Sequence, residues 1–275
     1  MEKIAFWKMS GSGNDFIIID NRHSVVTIED LTGFAAQVCR RKMSVGADGL
    51  ILVESSANRD FKWRFFNSDG SVAEMCGNGA RCVARFAHLN GIAGKQMCFE
   101  TLAGVISASV NGEQVRIQMT DPDDPVIDAK LDTGREVIDY SFVNTGVPHV
   151  VIDIGDIEAA DVVAVGRRVR WHDHFAPAGT NVNFLAPLDA GVWAVRTYER
   201  GVEDETLACG TGITAAALVL ARKKSLTSPI VIKSRSGALL KVYFAADEEG
   251  FKAVQLEGDA RIIYQGHLNP QAWQY

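Results

Sequence analysis

The chain has 275 residues, of which 47% are hydrophobic and 23% charged, with a formal net charge of -6. That length holds one large domain or two ordinary ones, and the composition is that of a folded globular protein. The acidic balance excludes nucleic acid as the main partner. No apolar stretch reaches the roughly 18–20 residues that a membrane-spanning helix needs, and the longest, residues 213–221, is too short. Residues 1–7 lack the apolar region of a signal peptide and read as a strand, so a cytoplasmic location is expected.

In chain order, β-type runs are predicted at residues 4–7, 16–20, 50–54 and 63–67, with an outer amphipathic helix over residues 29–41 carried by Leu31, Phe34, Ala35 and Val38. A helix over residues 80–89 follows, presenting Ala80, Val83, Ala84, Phe86, Ala87 and Leu89, and Asn90-Gly91 is its stop signal. Residues 99–101 and 105–110 flank Ala103-Gly104, a tight turn between paired strands, and residues 115–119 form a further strand. The polar segment Asp121-Pro122-Asp123-Asp124-Pro125 breaks any regular element and is the natural linker. Beyond it, strands are predicted at residues 142–145, 150–154, 182–185, 192–198, 230–234, 239–244 and 254–256. Residues 213–221 are apolar on every side, and a helix without a polar face must be enclosed by protein. The expected fold class is therefore α/β (α+β): two halves, each a curled, antiparallel β-sheet wrapped around a central helix. The first half takes residues 1–120, with residues 262–275 packed back on it, and the second takes residues 121–261.

The five cysteines stand at 39, 76, 82, 98 and 209, an odd number at irregular spacing. This is no disulfide framework, and neither a paired C-x-x-C set nor a Cys/His cluster of zinc spacing is present. A reducing compartment is expected, with no metal. Cys39, Cys82 and Cys98 have apolar neighbours and read as small core residues. The basic groups Arg40-Arg41-Lys42 and Arg167-Arg168 read as solvated surface.

The remaining two cysteines occur in one repeated phrase. Cys76-Gly77-Asn78-Gly79-Ala80 and Cys209-Gly210-Thr211-Gly212-Ile213 each place a thiol before a Gly-x-Gly turn that opens an apolar, helix-forming run, and the offset between the cysteines is 133 residues. The same offset carries Ser12-Gly13-Asn14-Asp15-Phe16-Ile17-Ile18-Ile19-Asp20 onto Thr145-Gly146-Val147-Pro148-His149-Val150-Val151-Ile152-Asp153. Two phrases in one register indicate an internal duplication. A duplicated half that keeps one thiol per copy suggests two thiols flanking a shared cleft, the arrangement that moves a proton from one face of a carbon to the other.

A helix N-terminus lowers a thiol's pKa through its unpaired N–H groups and the dipole, and the same amides bind a carboxylate. A Cys-Gly pair standing alone is most often packing, and a lone G-x-G is a weak signal; the repetition ahead of two buried helices is what favours chemistry. Before the second copy stand Glu199, able to hold an ammonium or tune a thiol, and Arg200, able to pair with a carboxylate, although both equally suit a surface ion pair. Asn14 and Asn67 are either turn residues or polar site groups. His149 either adjusts the charge on a thiol or is structural.

These phrases resemble the diaminopimelate epimerase family. The resemblance rests on Met75-Cys76-Gly77-Asn78-Gly79-Ala80-Arg81-Cys82, on Tyr198-Glu199-Arg200-Gly201, on Glu205-Thr206-Leu207-Ala208-Cys209-Gly210-Thr211-Gly212 and on the opening Gly11-Ser12-Gly13-Asn14-Asp15-Phe16. It implies a cofactor-independent epimerase interconverting LL- and meso-2,6-diaminoheptanedioate in lysine and peptidoglycan-precursor synthesis. The implied fold is two pseudo-symmetric halves, each a β-barrel around a helix, in a homodimer. By the resemblance, Cys209 takes the α-proton from the LL substrate and Cys76 delivers one to the opposite face. The reacting carboxylate lies on the backbone of Gly77-Asn78 and Gly210-Thr211. Asn14, Asn67, Asn181 and Arg200 bind the polar groups of the substrate, Glu199 binds an ammonium, and His149 and Glu199 tune the cysteines. Two positions depart from the family pattern: Val147 stands where many members have Asn, and Gly49 where many have Gln. A proline or hydroxyproline epimerase on the same halves, a thiol redox protein and a non-catalytic binder are the competing expectations.

Overall fold

Two helices enclosed by strands organise the chain. The computed structural model describes residues 3–248 and 250–275; Met1 and Glu2, at the start of the predicted opening run, lie outside them. The chain divides into two compact units, Met1–Ile117 with Asp259–Tyr275, and Gln118–Gly258.

In the first unit β1 (Ile4–Gly11) and β2 (Asn14–Asp20) form a hairpin, whose turn needs a left-handed backbone at Gly13, φ 92°. The chain crosses over through α1 (Leu31–Cys39) to β3 (Gly49–Glu54), which runs parallel to β2, as such a crossover requires. Next come β4 (Phe61–Asn67), antiparallel to β3, and the two-residue β5 (Val72–Ala73). After α2 (Gly77–Leu89), β6 (Gln96–Thr101) runs parallel to β4, and β7 (Gly104–Asn111) and β8 (Gln114–Gln118) complete a meander.

The second unit repeats this order. β9 (Val126–Asp132), β10 (Val137–Asn144) and β11 (Pro148–Asp153) are antiparallel. A crossover through α3 (Val162–Arg170) leads to β12 (Asn181–Pro187), parallel to β11. Then follow β13 (Trp193–Glu199), β14 (Asp204–Thr206), α4 (Gly210–Lys224), β15 (Ile230–Lys233) parallel to β13, β16 (Leu239–Asp247) and β17 (Gly250–Asp259). The last strand, β18 (Arg261–Leu268), pairs with β1 in the first unit and stands to β1 as β9 stands to β10.

The enclosed helices follow from their sequence. Every residue of α4 from Gly212 to Ala221 is buried, and its Ala215-Ala216-Ala217 run lets β10, β11, β12, β15 and β16 close around it. α2 buries Asn78 through Ala84 together with Phe86 and Ala87, against β1, β2, β3 and β7. Fully burying a Val or Leu such as Val83 or Leu218 contributes about 1.5–3 kcal/mol. The other two helices cover the outside. α1, capped by Asp30 Oδ1 accepting from Gly33 N–H at 2.9 Å, lays Phe34, Ala35 and Val38 on Ile17, Leu50 and Phe66. α3, capped by Asp161 Oδ1 accepting from Ala164 N–H at 3.2 Å, lays Val162 and Val169 on Phe184 and Tyr198.

Several elements differ from the expectation. α2 starts at Gly77 rather than residue 80, because Cys76 is already its N-cap, with extended φ -147° and ψ 118°. α3 was not expected: Val162, Val163 and Val165 are β-branched and Gly166 lowers helix propensity, so only the tertiary contact with β13 reveals the helix. β9 and β18 were missed as well. Cys98 is half-buried on β6 rather than a core residue, with Sγ 3.3 Å from Ser107 Oγ; Cys39 and Cys82 are buried, and burial pushes both thiols up to about 12. The linker segment is irregular but tied down, since Asp124 pairs with Arg222. Among the described residues, no helix is long and apolar enough to cross a membrane.

Gly166 is where α3 presses on β13. A Cβ there would sit 2.7 Å from Tyr198 Cγ, whereas one at Gly155 would meet nothing within 4 Å. Gly166→Ala is expected to lower stability by about 1–3 kcal/mol in denaturant unfolding. Gly155→Ala is expected to stay within about 0.5 kcal/mol of the parent.

Candidate active site

In the first unit, Cys76 precedes α2. The first helical bond runs from Ala80 N–H to Cys76 O at 2.8 Å. The amides of Gly77, Asn78 and Gly79 therefore precede that bond and point out of the helix start. Asn14, at the start of β2, donates from Nδ2 to Asp48 Oδ2 at 2.7 Å. With its nitrogen committed there, Asn14 turns Oδ1 towards the Cys76 thiol and Asn78 Nδ2, both at 3.4 Å.

Asp48 is itself held in a charged cluster. Arg41 Nη2 lies 2.9 Å from Asp48 Oδ1, and Arg41 also grips Asp15 through two bonds of 2.6 and 3.1 Å. Lys8 lies 2.8 Å from Asp15. Burial works against the charge on Asp15, but the hydrogen bonds and charges of Arg41 and Lys8 prevail and hold its carboxyl at about 2. The basic run at residues 40–42 is thus more than solvated surface, since Arg41 anchors the support beneath Asn14.

A second support is wholly interior. Arg81 has no exposed surface and donates to Ser12 Oγ and Asn78 Oδ1, both at 2.9 Å, and to Asp259 O at 3.3 Å. Ser12 in turn donates from N–H and Oγ to Asp259 Oδ1 at 3.0 Å. Arg81 thereby fixes the amide of Asn78, whose nitrogen is left to face Asn14. Desolvation lowers the pKa of Arg81, opposed by Cys82, Asp259 and Cys76; an arginine stays charged even so. In the sequence Arg81 shares a helical face with Asn78, Arg85 and His88, so its burial carried no local signal.

In the second unit Cys209 is the N-cap of α4 (φ -104°, ψ 110°), and Ile213 N–H makes the first helical bond to its carbonyl at 2.9 Å. Cys209 Sγ is 3.5 Å from Thr211 Oγ1. Thr145 Oγ1 donates to Thr211 O at 3.3 Å, and Thr214 Oγ1 to Gly210 O at 2.9 Å. At the register of the repeat Val147, just before β11, matches Asn14, so the side chain at that position is apolar.

The other residues singled out in this unit gather where β11, β12 and β13 are paired. Asn181 donates to Pro148 O at 3.1 Å and accepts from Arg200 N–H at 2.8 Å, so it ties the strand carrying His149 to the turn carrying Arg200. Arg200 Nη1 donates to Ala178 O at 3.1 Å. Burial raises the pKa of Glu199, with Thr206 partly offsetting it. His149 is fully buried, and burial, helped by the charge of Arg200, pushes its pKa down to about 3. His149 Nδ1 lies 3.1 Å from Nδ2 of Asn183, a buried residue that the sequence did not single out. Asn67 stands apart from both groups in its bonding: it is the exposed last residue of β4, and its Nδ2 donates to Ser71 Oγ at 3.0 Å. Among the described residues, no three His, Cys, Asp or Glu side chains are grouped so as to hold a metal ion.

Solved structures share this architecture. A Bacillus anthracis phenazine biosynthesis protein of the PhzF family superposes with a TM-score of 0.72 at 17% identity, covering 98% of this chain and 100% of that one. A probable proline racemase from Agrobacterium radiobacter K84 gives 0.69 at 17% identity, covering 99% and 96%. At that identity the likeness defines the fold class alone, a mixed α/β fold shared over nearly the whole chain. The sequence is more specific. The family described as Diaminopimelate epimerase matches residues 6–124 and 141–263, and the Diaminopimelate epimerase of Aquifex aeolicus (strain VF5) is 48% identical over 98% of this chain and 99% of its own. The chain belongs to the diaminopimelate epimerase family.

The buried imidazole has a consequence for stability. Burial pushes the pKa of His149 from its ordinary 6.5 down to about 3 in the folded chain, so between those values the unfolded state holds the extra proton. Its contribution is complete above 6.5 and is lost as pH falls towards 3, by up to about 1.4 kcal/mol per pH unit. Glu199, raised by burial, pulls the other way. In denaturant melts from pH 7 to pH 4, His149→Gln is therefore expected to flatten the acid loss relative to the parent; parallel curves would contradict it.

Proposed function

We propose that the chain is a pyridoxal-phosphate-independent epimerase that interconverts LL- and meso-2,6-diaminoheptanedioate, serving lysine and peptidoglycan-precursor synthesis. The observation that carries this reading is the family match across both units, each with a cysteine capping an enclosed helix. The α-proton of an amino acid is very weakly acidic. Without an electron sink, the carbanion charge must spread into the carboxylate as it forms, and helix-start amides aimed at those oxygens stabilise it. Expelling water strengthens that stabilisation.

In the LL to meso direction, Cys209 thiolate takes the α-proton and Cys76 thiol returns one to the opposite face; the reverse reaction exchanges the roles. The hydrogen bond from the Cys76 thiol to Asn14 Oδ1 supports a protonated Cys76 waiting as the acid. Gly77-Asn78 and Gly210-Thr211 hold the reacting carboxylate. Arg200, Asn14, Asn67 and Asn181 receive the other polar groups. Glu199, reluctant to ionise when buried alone, gains a counter-ion when it takes a substrate ammonium. A cytoplasmic homodimer with no nucleic-acid or membrane partner completes the proposal.

The protein is incubated with LL-diaminopimelate in deuterated water without added pyridoxal phosphate. Deuterium is expected at the α-carbon with inversion, and no turnover of proline. Cys76→Ala and Cys209→Ala should each slow inversion at least about 100-fold. Inversion at the parent rate by both single variants, or proline as the better substrate, would refute the reading.

A further inference from the structure

The polar atoms around His149 determine which of its nitrogens carries the proton. Asn183, on β12, donates from Nδ2 to Val150 O at 2.8 Å. A backbone carbonyl only accepts, so the amide cannot be turned over, and Nδ2 is the atom that lies 3.1 Å from His149 Nδ1. Thr197 Oγ1, on β13, donates to Asn183 Oδ1 at 2.9 Å and so fits the same orientation. A nitrogen that faces an N–H donor must offer its lone pair. In the neutral ring the proton then sits on Nε2. That Nε2 is buried and has no hydrogen-bond partner among the described residues.

We infer that Asn183 is a positioning residue that locks His149 as the neutral Nε2–H tautomer, so that His149 serves the site as a hydrogen-bond donor to an anion and not as a base. The inference rests on the proposed function for the site in which His149 acts. The tautomer sets the sign of the effect: an Nε2–H stabilises a thiolate or a carboxylate oxygen, whereas a bare Nε2 would take a thiol's proton. Asn183 is also placed to couple this ring to the catalytic helix. A Cβ at Gly212, in the first turn of α4, would collide with Asn183 Oδ1, so the amide, the imidazole and the helix that Cys209 caps are held in one packed unit.

The test uses the full-length protein with 15N-labelled histidine and long-range proton–nitrogen correlation at neutral pH, the His149 signals being assigned by their loss in His149→Gln. A protonated Nε2 and a bare Nδ1 are expected; a proton on Nδ1, or on both nitrogens, overturns the inference. The Nε2–H signal should shift on adding diaminopimelate or in Cys209→Ser, the first marking a carboxylate acceptor and the second a thiolate. No shift in either overturns the donor role. Asn183→Asp, whose carboxylate cannot donate, should move the ring proton to Nδ1 and lower kcat about tenfold or more with a smaller change in KM. Unchanged kcat with Nε2–H retained would count against Asn183. The tautomer is read without substrate, so a chain that failed to turn over diaminopimelate would leave that result standing and refute only the proposed function.

Discussion

A helix enclosed on every side by strands can do chemistry only at its ends, and the rest of this structure follows from that constraint. Along α4 the backbone groups are satisfied internally and the side chains are committed to packing. What remains is the start of the helix, where several amides point outward and the dipole is positive. Cys76 and Cys209 both occupy that position. The same enclosure explains the glycines beside them: at Gly212 any side chain would strike Asn183, and at Gly79 a Cβ would press to 3.2 Å from Ile51.

The two units share a backbone plan but not the polar atoms that support it. In the first, a buried guanidinium reaches the turn before β2 and the amide of Asn78; at the matching position α4 has Thr214, which only caps a carbonyl in its own first turn. Asn14 offers a side-chain oxygen to Cys76, while the side chain of Val147 is apolar. The strands of the second unit carry instead a buried imidazole, His149, and a carboxyl whose pKa burial raises, Glu199. The duplication keeps the frame and changes its polar lining.

Burial sets the protonation of that lining. A fully buried histidine near an arginine remains neutral, and a buried glutamic acid ionises less readily than one in water. Asp15 shows the opposite outcome, since it is only partly buried and two cations outweigh its desolvation. The difference lies in how much compensating charge each carboxyl finds, not in the residue type.

The duplication, the enclosed helices and the two capping cysteines were legible in the sequence because each is a local pattern or an exact internal offset. Most strands were equally plain, although β9 and β18 were not singled out, while α3 was hidden because valines and a glycine disguise a helix that packing enforces. The charged cluster linking Lys8, Asp15, Arg41 and Asp48, the interior bonds of Arg81 to Ser12 and Asp259, and the fixed amide of Asn183 could not be read there. Each joins side chains from elements distant in the chain, and hydrogen-bond direction depends on which atoms meet. Chain order thus determined which chemistry the protein carries, and tertiary contact decided which atom donates, which accepts and which charge survives burial.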